Sequence, residues 1–401
     1  MNQDIKNVEA GYPRIDLHKG KEFSLQRQHP WVFSGAIAKK DAGLQDGDLV
    51  EVYSAQNKFL AIGYYAGGSI AVRIISFIKT TINEQFWFEK INKAWLYRKQ
   101  LGILNEGTNV CRLFFGEGDG VPGLILDYYD GHVVFQAHSF GVYLQKENIV
   151  NAIERTLGNS LRSIYDKSAE TLSKHVSVKT VNGFLKGQPE EEIIVKENSH
   201  LFKIDFIHGQ KTGFFIDQRD NRKLLGQYCK NKTVLNTFAY TGGFSIYAAA
   251  AGAKMVHSVD VSQPAIDLCI RNAELNAVHN HAGFAMDAFD FLKDNKDVYD
   301  VIVLDPPAFA KSRDSKHSAV IGYKRLNAMA IKSINPNGII FTYSCSGVVD
   351  KFLFYNTITA AAIEAGRNVK ILHYMYQPAD HPLTPWFAEG EYLKGMVLWV
   401  E

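Results

Sequence analysis

A cysteine and three aspartates stand where a folded chain could bring reactive groups together. Cys345 lies in Tyr343-Ser344-Cys345-Ser346-Gly347, just past the apolar run Gly338-Ile339-Ile340-Phe341-Thr342, which predicts a buried strand. A thiol at a strand end, between two serines and ahead of a glycine, is placed for nucleophilic attack. The competing reading is a small buried hydrophobe, which most free cysteines are. A loop rich in hydroxyls and closed by glycine argues against burial. Asp305 opens Asp305-Pro306-Pro307-Ala308-Phe309 after the run Val301-Ile302-Val303-Leu304. Asp260 follows the expected strand 256–259, and Asp287 sits in Met286-Asp287-Ala288. An acid after a strand is as readily a helix cap as a ligand. The ordered series carries more weight than any member of it.

The first turn of the series is Asn236-Thr237-Phe238-Ala239-Tyr240-Thr241-Gly242-Gly243-Phe244-Ser245. Two glycines at a strand-to-helix turn let a ligand approach the backbone, and the helix start offers free N–H groups. Asp260 then takes the position from which a carboxylate holds a pair of ribose hydroxyls, one crossover helix further on. The turn is neither the dinucleotide fingerprint G-x-G-x-x-G nor the phosphate loop G-x-x-x-x-G-K-[ST].

The elements that must position these groups alternate. From about residue 200 strands at 234–235, 256–259, 301–304 and 338–343 are each followed by a helical pattern, and strands at 369–374 and 395–400 close the chain. Such alternation predicts a mostly parallel sheet with helices on both faces, whose ligands sit at the carboxyl ends of the strands. Before it, residues 11–80 read as short strands at 31–33, 49–53, 59–65 and 70–76, broken by Asp46-Gly47-Asp48 and Gly67-Gly68, which predicts a small all-β barrel. Helical spacing covers 82–101. An α+β segment follows, with strands at 124–126, 133–135 and 193–195, a helix over 140–157 and a hairpin turn at Asp127-Tyr128-Tyr129-Asp130-Gly131. The expected domains are 1–80, 81–200 and 201–401.

Composition sets the class. The chain has 401 residues, 46% hydrophobic and 21% charged, with net charge +2. That is an ordinary globular balance, compatible with a local basic face. No apolar run reaches the length of a membrane span, and the N-terminus carries acids rather than a leader. Cys111, Cys229, Cys269 and Cys345 form no C-x-x-C pair, so neither a metal site nor a disulfide framework is expected, and a cytoplasmic location is.

The series resembles a class I S-adenosylmethionine-dependent methyltransferase, a Rossmann-like α/β fold. TFAYTGGFS looks like its cofactor loop, VDVS its ribose acid, MDAFDF its adenine-side acid and LDPPAF its catalytic loop. HPWVFSGAI resembles the opening of a PUA domain, an RNA-binding barrel. TGFFIDQRDNR and DHPLTPWFAEGEYLKG resemble segments of one subfamily, the PUA-containing methyltransferases that place 5-methylcytosine in large-subunit ribosomal RNA. The resemblance covers nearly the whole chain in order. It implies S-adenosylmethionine as cofactor, held by Phe215, Gln218, Arg222, Asn236, Phe238, Tyr240, Thr241, Gly242, Ser245, Asp260, Asp287 and Asp305. For Phe215, Gln218 and Arg222 the alternative is a charged helix start that caps and pairs with its neighbours.

Cytosine carbon 5 is too poor a nucleophile to take a methyl group directly. A thiolate adding at carbon 6 makes it enamine-like. An acid must then protonate or hydrogen-bond the ring nitrogen. Cys345 and Asp305 fit these roles as the catalytic pair. The base that removes the carbon-5 proton is unassigned, with Asp380 and His381 as candidates. The Asp-Pro loop lacks the second cysteine many RNA cytosine-5 enzymes carry. On the barrel, Lys19, Lys21, Arg27, Trp31, Lys39, Lys40 and Arg73 suit backbone contacts and stacking. The expected partner is naked large-subunit ribosomal RNA, because extruding a base is cheapest before assembly. A homodimer stays open. Two rivals remain: a purine nitrogen methyltransferase working through Asp-Pro-Pro with Phe309 stacking, and a non-catalytic RNA-binding assembly factor.

Overall fold

The structure, a computed structural model, describes residues 11–172, 180–189, 192–294, 299–309 and 313–401, with the side chain of 313 excepted. The first ten residues, on which the expectation of no leader rests, lie outside them. The described residues divide into two compact units, one drawn from Met1–Asn105, Asn109–Glu191 and Asp380–Gly390, the other from Glu106–Thr108, Glu192–Ala379 and Glu391–Glu401.

The first unit contains two sheets. The strands β1 (Arg14–Leu17), β2 (Trp31–Phe33), β3 (Ile37–Lys40), β4 (Leu49–Tyr53), β5 (Phe59–Tyr65) and β6 (Ile70–Ser76) form a six-stranded sheet in the order β2-β6-β5-β4-β1-β3. Ile15, Val32, Val50, Val52, Val72 and Ile74 fill its core. The strands β7 (Val110–Phe115), β8 (Leu124–Tyr129), β9 (His132–Ala137), β10 (Ser163–Asp166) and β11 (Gly183–Lys186) form a second sheet. The hairpin between β8 and β9 turns at Asp130 and Gly131, both with positive φ (47° and 92°), as a tight two-residue turn requires. Asp127 lies inside β8 instead, where Arg112 grips it through two hydrogen bonds of 2.7 and 2.9 Å. The single helix expected over 140–157 is two, Phe140–Leu144 and Lys146–Leu157. The break falls at Gln145, whose Oε1 accepts from Trp87 Nε1 at 3.2 Å and Asn148 Nδ2 at 2.9 Å.

The second unit contains the hairpin β12 (Ile193–Glu197) and β13 (His200–Ile204). Its sheet comprises β14 (Thr233–Thr237), β15 (Met255–Asp260), β16 (His281–Ala285), β17 (Val301–Leu304), β18 (Gly338–Ser344), β19 (Val369–Met375) and β20 (Lys394–Val400). The order is β16-β15-β14-β17-β18-β20-β19, parallel from β16 to β18, with β20 antiparallel between β18 and β19. The buried central strands are apolar along their length; all of Val301–Leu304 is fully buried. The chain runs outward through β14, β15 and β16, then returns to β17 beside β14. That reversal opens a crevice at the strand ends where ligands of such sheets bind.

Candidate active site

At the end of β14, Asn236 is buried, and its Nδ2 donates to Ser245 Oγ at 2.9 Å. Ser245 Oγ lies 2.6 Å from Ser258 Oγ, itself 2.7 Å from His281 Nε2. This chain of polar groups fixes Asn236, yet its Oδ1 is buried with no hydrogen-bond partner. A buried acceptor in that condition costs free energy that a donor on a ligand would restore. The loop that follows has φ of 55° at Phe238, 46° at Tyr240 and 78° at Gly242. Aromatic residues rarely adopt this conformation, and they hold it where the surroundings enforce it. Ala239 N donates to Val259 O and Tyr240 N to Asp260 Oδ2, each at 2.9 Å. Thr241 is buried, and its carbonyl accepts from Asn272 Nδ2 at 2.9 Å. Gly242 must be glycine, since a Cβ there would lie 2.3 Å from Cys269 Sγ. The helix Gly243–Ala250 opens directly from this loop, with its first N–H groups at the crevice.

The two further acids stand at the ends of β15 and β16. Asp260 accepts from Tyr240 N and, through Oδ1, from Ser262 N at 2.9 Å. Each oxygen keeps a further lone pair for a ligand hydroxyl. Asp287 is exposed, and its Oδ1 accepts from Phe289 N at 2.8 Å and Asp290 N at 3.3 Å. It therefore caps the helix Ala288–Asp294 as well as facing solvent at the strand end.

Across the crevice, β17 and β18 pair in parallel, with Leu304 opposite Thr342. Asp305 and Cys345 thus leave neighbouring strand ends. Gln218 Nε2 donates to Asp305 Oδ2 at 3.0 Å, and Asn221 Nδ2 donates to Gln218 Oε1 at 2.6 Å. Burial, and next the charge of Asp217, push the Asp305 carboxyl from 3.8 up to about 7, against Gln218, Lys211 and Arg222. Cys345 is partly exposed, whereas Cys111, Cys229 and Cys269 are fully buried. Burial raises the Cys345 thiol, Asp305 and Asp217 raise it further, and Lys211 opposes them. The loop bearing it is held from two sides: Ser344 Oγ donates to the Tyr323 hydroxyl at 3.0 Å, and the buried Lys394 donates to Ser346 O at 2.7 Å.

Phe215, Gln218 and Arg222 lie together beside the loop. Arg222 is buried, with Nε and Nη2 on the two oxygens of Glu197 at 2.8 and 2.7 Å. Its Nη1 donates to Phe215 O at 2.9 Å. The Phe215 ring meets Tyr240 edge-on at 5.2 Å, and Lys211 Nζ sits 4.8 Å from its centroid. Arg222 thus pairs with a buried acid and holds the backbone of Phe215. Glu197, Lys211, Asp217 and Lys394 escaped the sequence reading. Asp217 and Lys394 left a signal there, since each lies in one of the two segments that resemble the subfamily.

Other candidates have other surroundings. Phe309 packs against Tyr323 at 4.7 Å in the hydrophobic core. Asp380 and His381 are fully buried in the first unit, where Asp380 Oδ2 accepts from Arg112 N at 3.0 Å and its carbonyl from Arg98 at 2.8 Å. Lys19, Lys21, Arg27 and Lys39 are exposed. Lys40 bonds the Tyr65 hydroxyl, and burial lowers Arg73. Trp31 is only half-exposed; its Nε1 donates to Glu117 at 2.9 Å and its ring meets Phe387 at 4.8 Å. Among the described residues no helix is long and apolar enough to cross a membrane.

Comparison with known proteins bears on both units. The profile of the PUA-like domain matches residues 15–77, and that of the S-adenosylmethionine-dependent methyltransferases matches 112–383. The ribosomal RNA large subunit methyltransferase I of Vibrio vulnificus is 40% identical over 390 residues, covering 95% of this chain and 98% of the relative. That of Aeromonas salmonicida is 41% identical over 392 residues, covering 96% and 98%. Among solved structures, a candidate methyltransferase complexed with SAH superposes with TM-score 0.84 at 26% identity, over 96% of this chain and 99% of that one. A candidate SAM-dependent methyltransferase from Streptococcus mutans gives 0.83 over the same shares.

Proposed function

Because this chain belongs to the S-adenosylmethionine-dependent methyltransferase family, in the branch that carries a PUA-like domain, we propose that it methylates carbon 5 of a cytosine in large-subunit ribosomal RNA through a covalent adduct on Cys345. The residues at β14 to β16 suit the cofactor. Asn236 Oδ1 awaits a donor, Asp260 has lone pairs for ribose hydroxyls, and the Gly242-Gly243 turn admits a ligand to the helix start. Phe238, Thr241, Ser245, Asp287, Phe215, Gln218 and Arg222 complete the enclosure. When bound there, S-adenosylmethionine supplies an electrophilic methyl group.

The observation that carries the reading is the pairing of Cys345 with a carboxyl at about 7 on the adjacent strand end. A carboxyl raised this far holds a proton that it can donate to the cytosine ring nitrogen as sulfur adds at carbon 6. The neutral form also removes the charge that disfavours the thiolate. The Lys211 charge favours the thiolate. The nitrogen-methylating alternative asks for a free aromatic in the Asp-Pro-Pro loop, and Phe309 is committed to Tyr323.

The PUA-like sheet supplies exposed lysines for phosphate contacts, and the target base is extruded to reach Cys345. We retain with this reading the division at about residues 80 and 200, unassembled ribosomal RNA as substrate, a cytoplasmic setting and a homodimer as working assumptions. The test is transfer of labelled methyl groups to unmodified ribosomal RNA, followed by nuclease digestion. 5-Methylcytidine is expected, and Cys345→Ala should abolish it. Label in a methylated purine, surviving in Cys345→Ala, overturns the reading.

A further inference from the structure

A base is still needed for the proton on carbon 5, and Asp380 and His381 are spent inside the first unit. We propose that Asp217 takes that proton; the inference rests on the covalent role of Cys345 just described. Asp217 lies on the short 3-10 turn Ile216–Gln218. Its Oδ2 accepts from the Tyr392 hydroxyl at 2.7 Å. Its chain neighbour Gln218 holds Asp305 at 3.0 Å. The turn therefore carries the clamp on Asp305 and, at the preceding position, a second carboxylate. Tyr392 stands two residues before β20, the neighbour of β18, so Asp217 is anchored on the half of the sheet that carries Cys345. The acids for the adenosine moiety end β15 and β16, on the opposite half. Its charge is felt by both reactive groups, since it raises Asp305 and Cys345 alike.

Stereochemistry asks for a group in this place. The methyl group enters carbon 5 from the cofactor side, which turns the hydrogen to the other face. Asp305, engaged at the ring nitrogen, lies in the plane of the base on another edge and cannot stand over carbon 5. In the adduct, carbon 6 carries Sγ of Cys345, and carbon 5 carries both methyl and hydrogen. The Asp217 carboxylate accepts the proton. The C5–H electron pair becomes the C5=C6 double bond, and the C6–S pair leaves on sulfur as thiolate. The ring nitrogen returns its proton to Asp305. No electron donor or acceptor is required.

The two carboxyls then have separate duties, one as acid and the other as base. The proton accepted by Asp217 leaves to solvent after release. A purely structural Asp217, tied to Tyr392, would affect folding or binding but not the ratio of adduct to free product.

Wild type and Asp217→Asn should be incubated with labelled S-adenosylmethionine and ordinary ribosomal RNA, then denatured. Asp217→Asn should accumulate a methylated protein–RNA adduct, with product release slowed about 100-fold or more. The adduct should vanish in the Asp217→Asn, Cys345→Ala double variant. Asp217→Ala should recover release with added formate, which a structural role would not allow. Both proteins should still be trapped by RNA carrying 5-fluorocytosine. Normal release by Asp217→Asn, or no effect of formate on Asp217→Ala, overturns the assignment while trapping leaves Cys345 in place. If the wild type is not trapped, the covalent reading itself fails.

Discussion

Asp305→Asn should inactivate the protein and at the same time make it more stable, by an amount that depends on pH. A carboxyl moved from 3.8 to about 7 binds its proton more tightly in the folded chain than in the unfolded one. The folded state therefore loses stability as pH rises from about 4 through about 7, and the loss is complete above that. The shift corresponds to about 4 kcal/mol at most. Asp305 is only partly buried and keeps the Gln218 hydrogen bond, so water and relaxation reduce this to about 2 kcal/mol. Asparagine fills the same space, accepts the same hydrogen bond and carries no charge. At pH 8 the variant should melt about 4–8 °C above wild type, as about 2 kcal/mol does for a unit of roughly this size. At pH 4.5 the gap should shrink to about a quarter, because the folded-state carboxyl is then neutral and only the unfolded chain ionises. Calorimetric scans of both proteins at the two pH values, with the same salt and no cofactor, read it directly. A variant no more stable than wild type at pH 8, or a gap that stays constant with pH, would refute the account of a destabilised carboxyl held for chemistry.

Three other substitutions probe the scaffold. Glu197→Ala leaves Arg222 and Arg219 without their buried counter-charge and should cost about 3–5 kcal/mol in urea unfolding; a loss under 1 kcal/mol contradicts the role given to that ion pair. Gly242→Ala forces a Cβ onto Cys269 at a positive φ, so stability should fall by about 1–3 kcal/mol and S-adenosylmethionine should bind more weakly in calorimetry. Unchanged affinity would mean that the turn does not shape the cofactor site. Lys394→Met frees the loop carbonyl of Ser346 and should lower kcat about 10- to 100-fold with little change in cofactor affinity; an unaltered kcat would show that Cys345 is positioned without it.

What the sequence made legible was whatever local pattern and order alone determine. Apolar runs such as Val301–Leu304 mark central strands because both faces are buried, and the residues that follow them mark the crevice. β16 was harder to see, because His281-Ala282-Gly283-Phe284-Ala285 has little β-branched character and leans on its neighbour for strand form. The strands β1 and β3 are four residues each, too short for a period to show. The break at Gln145 depends on Trp87, distant in sequence, so no local pattern could reveal it. The same holds for the site. Cys345 and Asp305 sit in recognisable loops. Asp217 and Glu197 acquire meaning only through Tyr392 and Arg222, partners that the fold delivers from elsewhere.

The central claim is that Cys345 forms a bond to carbon 6 of a cytosine, and trapping tests it most directly. The protein is incubated with S-adenosylmethionine and ribosomal RNA carrying 5-fluorocytosine, then run on a denaturing gel. Fluorine cannot leave as a cation, so the account predicts a denaturation-resistant protein–RNA adduct whose modified peptide contains Cys345 and which Cys345→Ala does not form. Efficient methylation of ordinary RNA alongside no adduct on the fluorinated RNA would contradict it.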